Sequence, residues 1–165
     1  MTELFPKEIL QRASRLVAVC KSRGLSIATA ESCTGGLIAG AITEIAGSSA
    51  VFERGFVTYS NEAKIELLGV PEEVLAGHGA VSEPVARAMA EGALHNSSAT
   101  IAVAVTGIAG PSGGSAEKPI GLVHLACARR GKPTIHAREV FPGDRAAIRL
   151  GTVAKALEML LTQSA

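Results

Sequence analysis

The stretch ATIAVAV, residues 99–105, is an unbroken run dominated by small and β-branched apolar residues. A short apolar run of this kind is typical of a buried strand in a sheet that helices cover on both faces. The run LSIATA, residues 25–30, is short and partly β-rich in the same way. Both stretches therefore predict buried strands.

Segments with helical signals surround these strands. Helices are predicted over residues 6–22, after Gly36 to near Gly47, from Asn61 through Leu68, over Pro71–Ala76, from Ser82 to about His95, and from Asp144 to Leu161. Further strands are predicted over residues 51–59 with a break at Gly55, and as a hairpin of Ile120–Ala128 and Thr134–Val140 around Gly131. Helices and strands alternate, and the hairpin adds an antiparallel pair. The pattern predicts one domain, residues 1–165, with an α/β fold: a three-layer α/β/α sandwich with a mixed sheet.

The composition excludes several classes of protein. Of 165 residues, 47% are hydrophobic and 19% are charged, which excludes a disordered chain. A net charge of +1 and 3% aromatic residues argue against a nucleic-acid partner. The N-terminus lacks a signal peptide, and no apolar run reaches the ~18 residues of a membrane helix. Three scattered cysteines, Cys20, Cys33 and Cys127, favour a reducing compartment, so we expect a cytoplasmic protein without a membrane partner.

The segment ESCTGG, residues 31–36, is the first candidate for chemistry, because it follows a strand and begins a helix. Ser32 is placed to be a nucleophile or an anion ligand, and Cys33 is the alternative nucleophile. Glu31 is either an orienting group or a structural one. A structural alternative stays open as well, in which Ser32 or Thr34 only caps the helix and the glycines only pack.

The segment TYSNEAK, residues 58–64, offers a base for such a nucleophile. A serine hydroxyl is weakly nucleophilic until a base takes its proton, and no histidine lies nearby in a motif-like setting. A neutral Lys64, as in Ser-Lys hydrolases, is the remaining candidate, since desolvation lowers the pKa of a lysine. The alternative is an ordinary solvated lysine on a helix face.

Two further segments suggest a binding site for an anion. The loop at residues 106–115 is rich in glycine and hydroxyl groups and is longer than a plain connection. Arg145 and Arg149 share one helix face and either grip a phosphate or carboxylate or lie in solvent. The four histidines show no metal-ligand spacing, so no metal site is predicted.

Taken together, five segments resemble the CinA C-terminal domain family. They are ATAESCTGG (28–36), AGSSAVFERGFVTYSNEAK (46–64), HGAVSEPVA (78–86), TGIAGPSGGSAEKPIG (106–121) and FPGDR (141–145). They occur in the family's order and span nearly the whole chain. Within the family, they are most similar to the stand-alone nicotinamide-nucleotide amidohydrolases.

The resemblance implies hydrolysis of the carboxamide of nicotinamide mononucleotide to nicotinate mononucleotide and ammonia. It also implies an α/β/α fold, no metal or organic cofactor, and a homo-oligomer. Ser32 would be the nucleophile, with Lys64 and Tyr59 assisting its deprotonation. The residues implied to bind or line the substrate are Thr34, Gly35, Gly36, Thr106, Gly107, Gly110, Ser112, Gly113 and Arg145.

Two other functions remain open at this stage. One is a non-catalytic nucleotide-binding or regulatory module, which would need the glycine-rich loop and Arg145 but not Lys64. The other is a structural or DNA-associated protein, against which the near-neutral charge and scarce aromatic residues argue.

Overall fold

The two apolar runs form neighbouring strands at the centre of a five-stranded sheet in the computed structural model, which describes residues 1–165. The strands are β1 (Ile27–Glu31), β2 (Phe52–Val57), β3 (Ile101–Gly107), β4 (Leu122–Arg129) and β5 (Lys132–Val140). Their spatial order is β2-β1-β3-β4-β5. Strand β1 is parallel to both β2 and β3, whereas β3, β4 and β5 pair antiparallel in succession. The predicted mixed sheet is confirmed.

Six helices cover the two faces of the sheet. They are α1 (Lys7–Arg23), α2 (Leu37–Thr43), α3 (Asn61–Leu68), α4 (Glu72–His78), α5 (Glu83–His95) and α6 (Arg145–Gln163). Helices α1, α2 and α6 share one hydrophobic cluster with the sheet, and α3, α4 and α5 share the other. The three-layer α/β/α sandwich is therefore also confirmed. None of these helices combines the length and apolar character needed to span a bilayer.

The two faces of the sheet differ in side-chain size. On β3, Val103 and Val105 point into the cluster around α1 and α6, while Ala102 and Ala104 point toward α5. Alternation along a strand makes this separation possible, and alanine on one face lets α5 pack close to the sheet. Helix α5 therefore packs directly against this face of the sheet.

Most predicted boundaries differ from the observed ones by one or two residues, and two differences are more substantial. Helix α2 ends at Thr43 rather than near Gly47, and a short 3-10 turn follows it at Ser48–Ala50. The break expected at Gly55 is wrong, because β2 runs through it without interruption. A Cβ atom at Gly55 would lie 2.8 Å from Thr29 Oγ1, so the glycine permits close approach of β1 instead of ending the strand.

The carboxyl ends of β1, β2 and β3 meet at one edge of the sheet. The backbone N–H of Ser32 donates to the carbonyl of Val105 at 3.1 Å, and that of Thr58 donates to the carbonyl of Glu31 at 2.8 Å. In open α/β sheets this edge is where ligands bind. The candidate segments at residues 31–36, 58–64 and 106–115 therefore converge here.

Candidate active site

Ser32 is the first residue after β1 and lies between the end of this strand and helix α3. Ala28 and Ala30 belong to the cluster on the α5 side of the sheet, and Ser32 continues their alternation. Its hydroxyl therefore faces Lys64 on α3, and the Ser32 Oγ to Lys64 Nζ distance is 3.1 Å. Only 8% of Ser32 is exposed, so the hydroxyl is shielded from bulk water.

Lys64 is buried, with 1% of its surface exposed, which excludes the solvated lysine of the structural alternative. Its amine contacts three oxygen atoms: Ser32 Oγ, the Thr58 carbonyl at 2.8 Å and the Tyr59 carbonyl at 3.3 Å. None of these partners is a carboxylate. A buried ammonium without a counter-ion is strongly disfavoured, and burial accordingly lowers the pKa of Lys64 below that of an ordinary lysine.

The contacts of the Lys64 amine also indicate that the hydroxyl proton of Ser32 moves toward Lys64. A neutral amine has two N–H groups and one lone pair. The carbonyl oxygens of Thr58 and Tyr59 can only accept, so they take the two N–H groups. The lone pair is then left for the hydroxyl hydrogen of Ser32, which is the arrangement that a base and its nucleophile require.

The carboxylate of Glu31 organises the turn behind Ser32. It accepts hydrogen bonds from Thr34 Oγ1 at 2.6 Å and from the backbone N–H groups of Ile38 and Ala39 at 2.8 and 3.0 Å. The N–H groups in the first turn of α2 thus already donate to a side chain of the protein, the carboxylate of Glu31. Thr34 is fully buried, and its hydroxyl is used by Glu31. The ligand contact predicted for Thr34 is therefore not formed by its side chain in this structure.

The turn itself depends on glycine. Gly35 and Gly36 have φ angles of +58° and +105°, which other residues rarely adopt. Neither glycine lines the cleft next to Ser32. Arg149 braces the same turn, since its Nε and Nη2 atoms donate to the carbonyls of Cys33 and Thr34 at 3.1 and 3.2 Å. These residues therefore shape the turn, and the contact of Gly35 and Gly36 with substrate stays a prediction.

Cys33 lies in the cleft but is not equipped to be the nucleophile. Burial raises the pKa of its thiol to about 11, so the thiol remains protonated at neutral pH. The amine of Lys64 instead contacts the hydroxyl of Ser32. Of the two nucleophiles considered from the sequence, the structure favours Ser32.

Arg145 and Tyr59 form the mouth of the cleft. Arg145 Nη1 donates to the Gly110 carbonyl at 2.7 Å, and its Nη2 atom lies 3.5 Å from Tyr59 Oη. The phenol is exposed, and Tyr59 touches Lys64 only through its main-chain oxygen. Its hydroxyl is thus placed at the rim, not on the nucleophile. Ser112 and Gly113, at the tip of the loop, are exposed and lie outside the cleft.

Thr106 and Gly107 form the floor opposite Ser32. Thr106 Oγ1 donates to the carbonyl of Ala80 at 2.9 Å, which ties the end of β3 to the segment before α5. A Cβ atom at Gly107 would lie 2.6 Å from Val123 Cγ2, so no larger residue fits there. Both residues line the cleft, as the sequence predicted.

The cleft that these residues enclose has a volume of about 200 Å³ and no acidic residue in its wall. Arg145 is the exposed cation at its mouth. Asn61, which sequence reasoning overlooked, also lines it, and its side chain makes no hydrogen bond within the protein. Its position three residues before Lys64 was the available signal, because such residues share a helix face. No group of three or more His, Cys, Asp or Glu residues is arranged to hold a metal ion.

Comparison with known proteins gives consistent results over nearly the whole chain. Residues 10–164 match the family model of the CinA C-terminal domain. The chain is 55% identical over 156 residues to nicotinamide-nucleotide amidohydrolase PncC of Escherichia coli strain K12, with 94% of each chain covered. A CinA-like protein of Geobacter sulfurreducens is 56% identical over 140 residues, which are 85% of this chain but 34% of that protein. The crystal structure of competence/damage inducible protein CihA from Agrobacterium tumefaciens has a TM-score of 0.98 and 56% identity, covering 99% of this chain and 100% of that one.

Proposed function

Because this chain belongs to the CinA C-terminal domain family, we propose that it hydrolyses the carboxamide of nicotinamide mononucleotide, giving nicotinate mononucleotide and ammonia. The observation that carries the proposal is the contact between Ser32 and a buried Lys64 without a counter-ion. A binding module does not need a desolvated amine in contact with a serine hydroxyl, whereas amide hydrolysis needs such an amine to take the serine proton. The hydrolase is therefore favoured over the non-catalytic module.

The first half of the reaction transfers the acyl group to Ser32. Lys64 takes the hydroxyl proton as the Ser32 oxygen attacks the carboxamide carbon, forming a tetrahedral oxyanion. The resulting ammonium passes its proton to the amide nitrogen, the C–N bond breaks and ammonia leaves. Burial of Lys64 suits it to both transfers, because a lowered pKa leaves more of the amine neutral and able to accept a proton, and makes the ammonium a stronger acid toward the amide nitrogen.

The second half restores the enzyme by the same groups. A water molecule attacks the ester carbon and gives its proton to the neutral Lys64. The tetrahedral intermediate then collapses, the bond to Ser32 breaks, and the serine oxygen regains a proton from the ammonium. The product is the carboxylic acid, which becomes the carboxylate by giving its proton to water, and no cofactor or metal enters the balance.

An ammonia-release assay with three substrates tests the function. Nicotinamide mononucleotide, nicotinamide riboside and NAD are compared at equal concentration. We expect the highest kcat/KM for the mononucleotide, because its phosphate is a handle for Arg145 at the mouth of the cleft. Absence of ammonia from the mononucleotide would refute the proposed reaction.

Removal of Arg145 is expected to weaken binding more than chemistry. In Arg145→Ala, KM for nicotinamide mononucleotide should rise about 10-fold or more, since a hydrogen bond to a charged group contributes ~1.5–3 kcal/mol. Steady-state kinetics with both the mononucleotide and the riboside measure this. The riboside has no phosphate, so its KM should hardly change. An unchanged KM for the mononucleotide would exclude Arg145 from phosphate recognition.

A carboxylate at position 61 is expected to shift the pH dependence. Asn61 is one turn from Lys64 on the same face of α3, so Asn61→Asp would stabilise the ammonium and raise the pKa of Lys64. The rising limb of kcat/KM against pH should then move to higher pH. Asn61→Ala, which adds no charge, is the control and should leave the limb in place. Equal profiles for Asn61→Asp and wild type would mean that the limb does not report Lys64.

We further propose that the protein acts in the cytoplasm as a homo-oligomer without a nucleic-acid partner. The three buried free cysteines fit a reducing compartment, and the net charge of +1 gives little attraction for nucleic acid. Exposed apolar side chains, namely Tyr59 at the cleft mouth, Val57 on β2 and Leu67 on α3, fit a surface that a second copy covers. Light scattering coupled to gel filtration gives the oligomeric mass.

A further inference from the structure

Arg149 is a charged side chain near the nucleophile that the proposed reaction leaves unused. It lies one helical turn after Arg145 on α6, yet it does not line the cleft. Both of its hydrogen bonds go to the turn after Ser32, to the carbonyls of Cys33 and Thr34. A ligand at the mouth therefore has no contact with it.

Arg149 and Lys64 approach this turn from opposite faces of the sheet. Helix α6 belongs to the cluster on the α1 side, and the α5 side includes α3, from which Lys64 reaches Ser32. The carbonyls of Cys33 and Thr34 are thus directed to the α6 side, while the serine hydroxyl is directed to the α3 side. The turn therefore lies between the guanidinium of Arg149 on one face of the sheet and the amine of Lys64 on the other.

The hydrogen bonds of this turn leave one donor free at the cleft. The Ser32 carbonyl accepts from the Gly35 N–H at 3.1 Å, and Arg149 takes the next two carbonyls. The N–H groups of Cys33, Thr34 and Gly36 have no acceptor in another residue, and of these three residues only Cys33 lines the cleft, where its N–H contacts no more than its own thiol. A peptide unit is planar, so fixing the carbonyl of Ser32 also fixes the direction of the Cys33 N–H.

The backbone N–H of the residue after a nucleophilic serine is a recurring donor to the tetrahedral oxyanion. We propose that Arg149 is a positioning residue of the hydrolase. By holding the Thr34 carbonyl, it orients the Gly35 N–H of the same peptide unit. That N–H in turn fixes the Ser32 carbonyl and thereby presents the Cys33 N–H to the oxyanion. This inference rests on the proposed function, since it concerns the same reaction.

Kinetics of Arg149→Gln with nicotinamide mononucleotide test the assignment. We expect kcat to fall ~10–10²-fold, because a misplaced oxyanion donor weakens the transition state more than the ground state. KM should change less than 3-fold. The rising limb of the pH profile should stay at the same pH, since Lys64 is untouched. Guanidinium ion at concentrations far below denaturing ones should restore part of kcat in Arg149→Ala.

Arg130 supplies the matched control, because it holds backbone carbonyls at the opposite end of the sheet. Its Nε donates to the Ala99 carbonyl at 2.9 Å and its Nη2 to the Leu94 carbonyl at 2.7 Å. Arg130→Gln should lower Tm without lowering kcat of the folded enzyme. If Arg149→Gln does not fold, Arg149→Lys, which retains a cationic donor nitrogen in place of the planar fork, should show a smaller loss confined to kcat.

The outcomes separate this inference from the function on which it rests. A wild type that releases no ammonia from the mononucleotide overturns the proposed function itself. An active wild type with equal kcat in folded Arg149→Gln or Arg149→Lys overturns only the role of Arg149. A loss of activity that merely follows the fraction of unfolded protein, as in Arg130→Gln, overturns it as well.

Discussion

Ser32→Ala is expected to lower deamidation of nicotinamide mononucleotide by about 10⁴-fold or more while the protein stays folded. The reason is that the Ser32 oxygen is the only atom in contact with the Lys64 amine that can give up a proton. The loss should appear in kcat, measured by ammonia release. Calorimetric titration should still detect substrate binding, because Arg145 and the floor of the cleft are unchanged.

The control for this variant is Ser22→Ala. Ser22 is exposed on α1, and its hydroxyl only donates to the Val19 carbonyl of the same helix. It should therefore keep wild-type turnover and a nearly unchanged Tm. Hydroxylamine added to the wild type during turnover should intercept the acyl group as a hydroxamate. Turnover by Ser32→Ala within a few-fold of wild type would rule out the covalent mechanism.

Lys64→Met is expected to separate activity from stability. The methionine fills most of the same buried space without a charge, so kcat should fall ~10²–10⁴-fold through loss of the base. The free energy of unfolding at neutral pH should stay equal or rise, because burying the amine is unfavourable. Denaturant unfolding and ammonia release on the same samples measure both effects. A variant that is inactive because it is unfolded would contradict the second expectation.

The pH dependence of this pair follows from the lowered pKa of Lys64. Wild-type kcat/KM should rise with pH through that pKa, since only the neutral amine accepts the serine proton. Between that pKa and the ordinary value of ~10.4, the unfolded chain binds more protons than the native one, so wild-type stability rises with pH. The stability advantage of Lys64→Met should therefore be largest below the native pKa and vanish near pH ~10.4.

Lys155→Met is the matched control for these measurements. Lys155 lies on α6 and pairs with Glu158 and Glu139 at the surface. Its replacement removes a lysine that lies outside the cleft and is paired with carboxylates, so the rising limb of kcat/KM should stay where it is in the wild type. A rising limb that is the same in all three proteins would mean that another group is the base.

The sequence predicted the elements of the fold well because their signals are local. The apolar run at 99–105 supplies most of β3, which spans Ile101–Gly107, and the short helix predicted to be capped at Ser60-Asn61 ends at Leu68 as expected. The error at Gly55 has a tertiary cause. A glycine within a strand looks like a break, but here it makes room for the Thr29 side chain of the neighbouring strand.

The candidate site was partly predictable for the same reason. The segments of Ser32, Lys64, Thr106 and Arg145 were each identified in the sequence, and the fold brings all four residues to one cleft. The arginine that braces the turn, Arg149, was recognised only as part of a helix face. Its partners are backbone carbonyls more than a hundred residues away in the chain, and no sequence pattern marks such a contact.

The amino-acid sequence alone thus determined the α/β/α class, the order of its elements and which segments carry reactive groups, because periodicity and turn residues act over a few neighbours. Only the tertiary structure decided which groups are chemically active. In the proposed reaction Lys64 can act as a base because the fold buries its amine against two neutral carbonyls and a serine hydroxyl, but no carboxylate. Desolvation depends on everything packed around an atom, and that environment comes from distant parts of the chain.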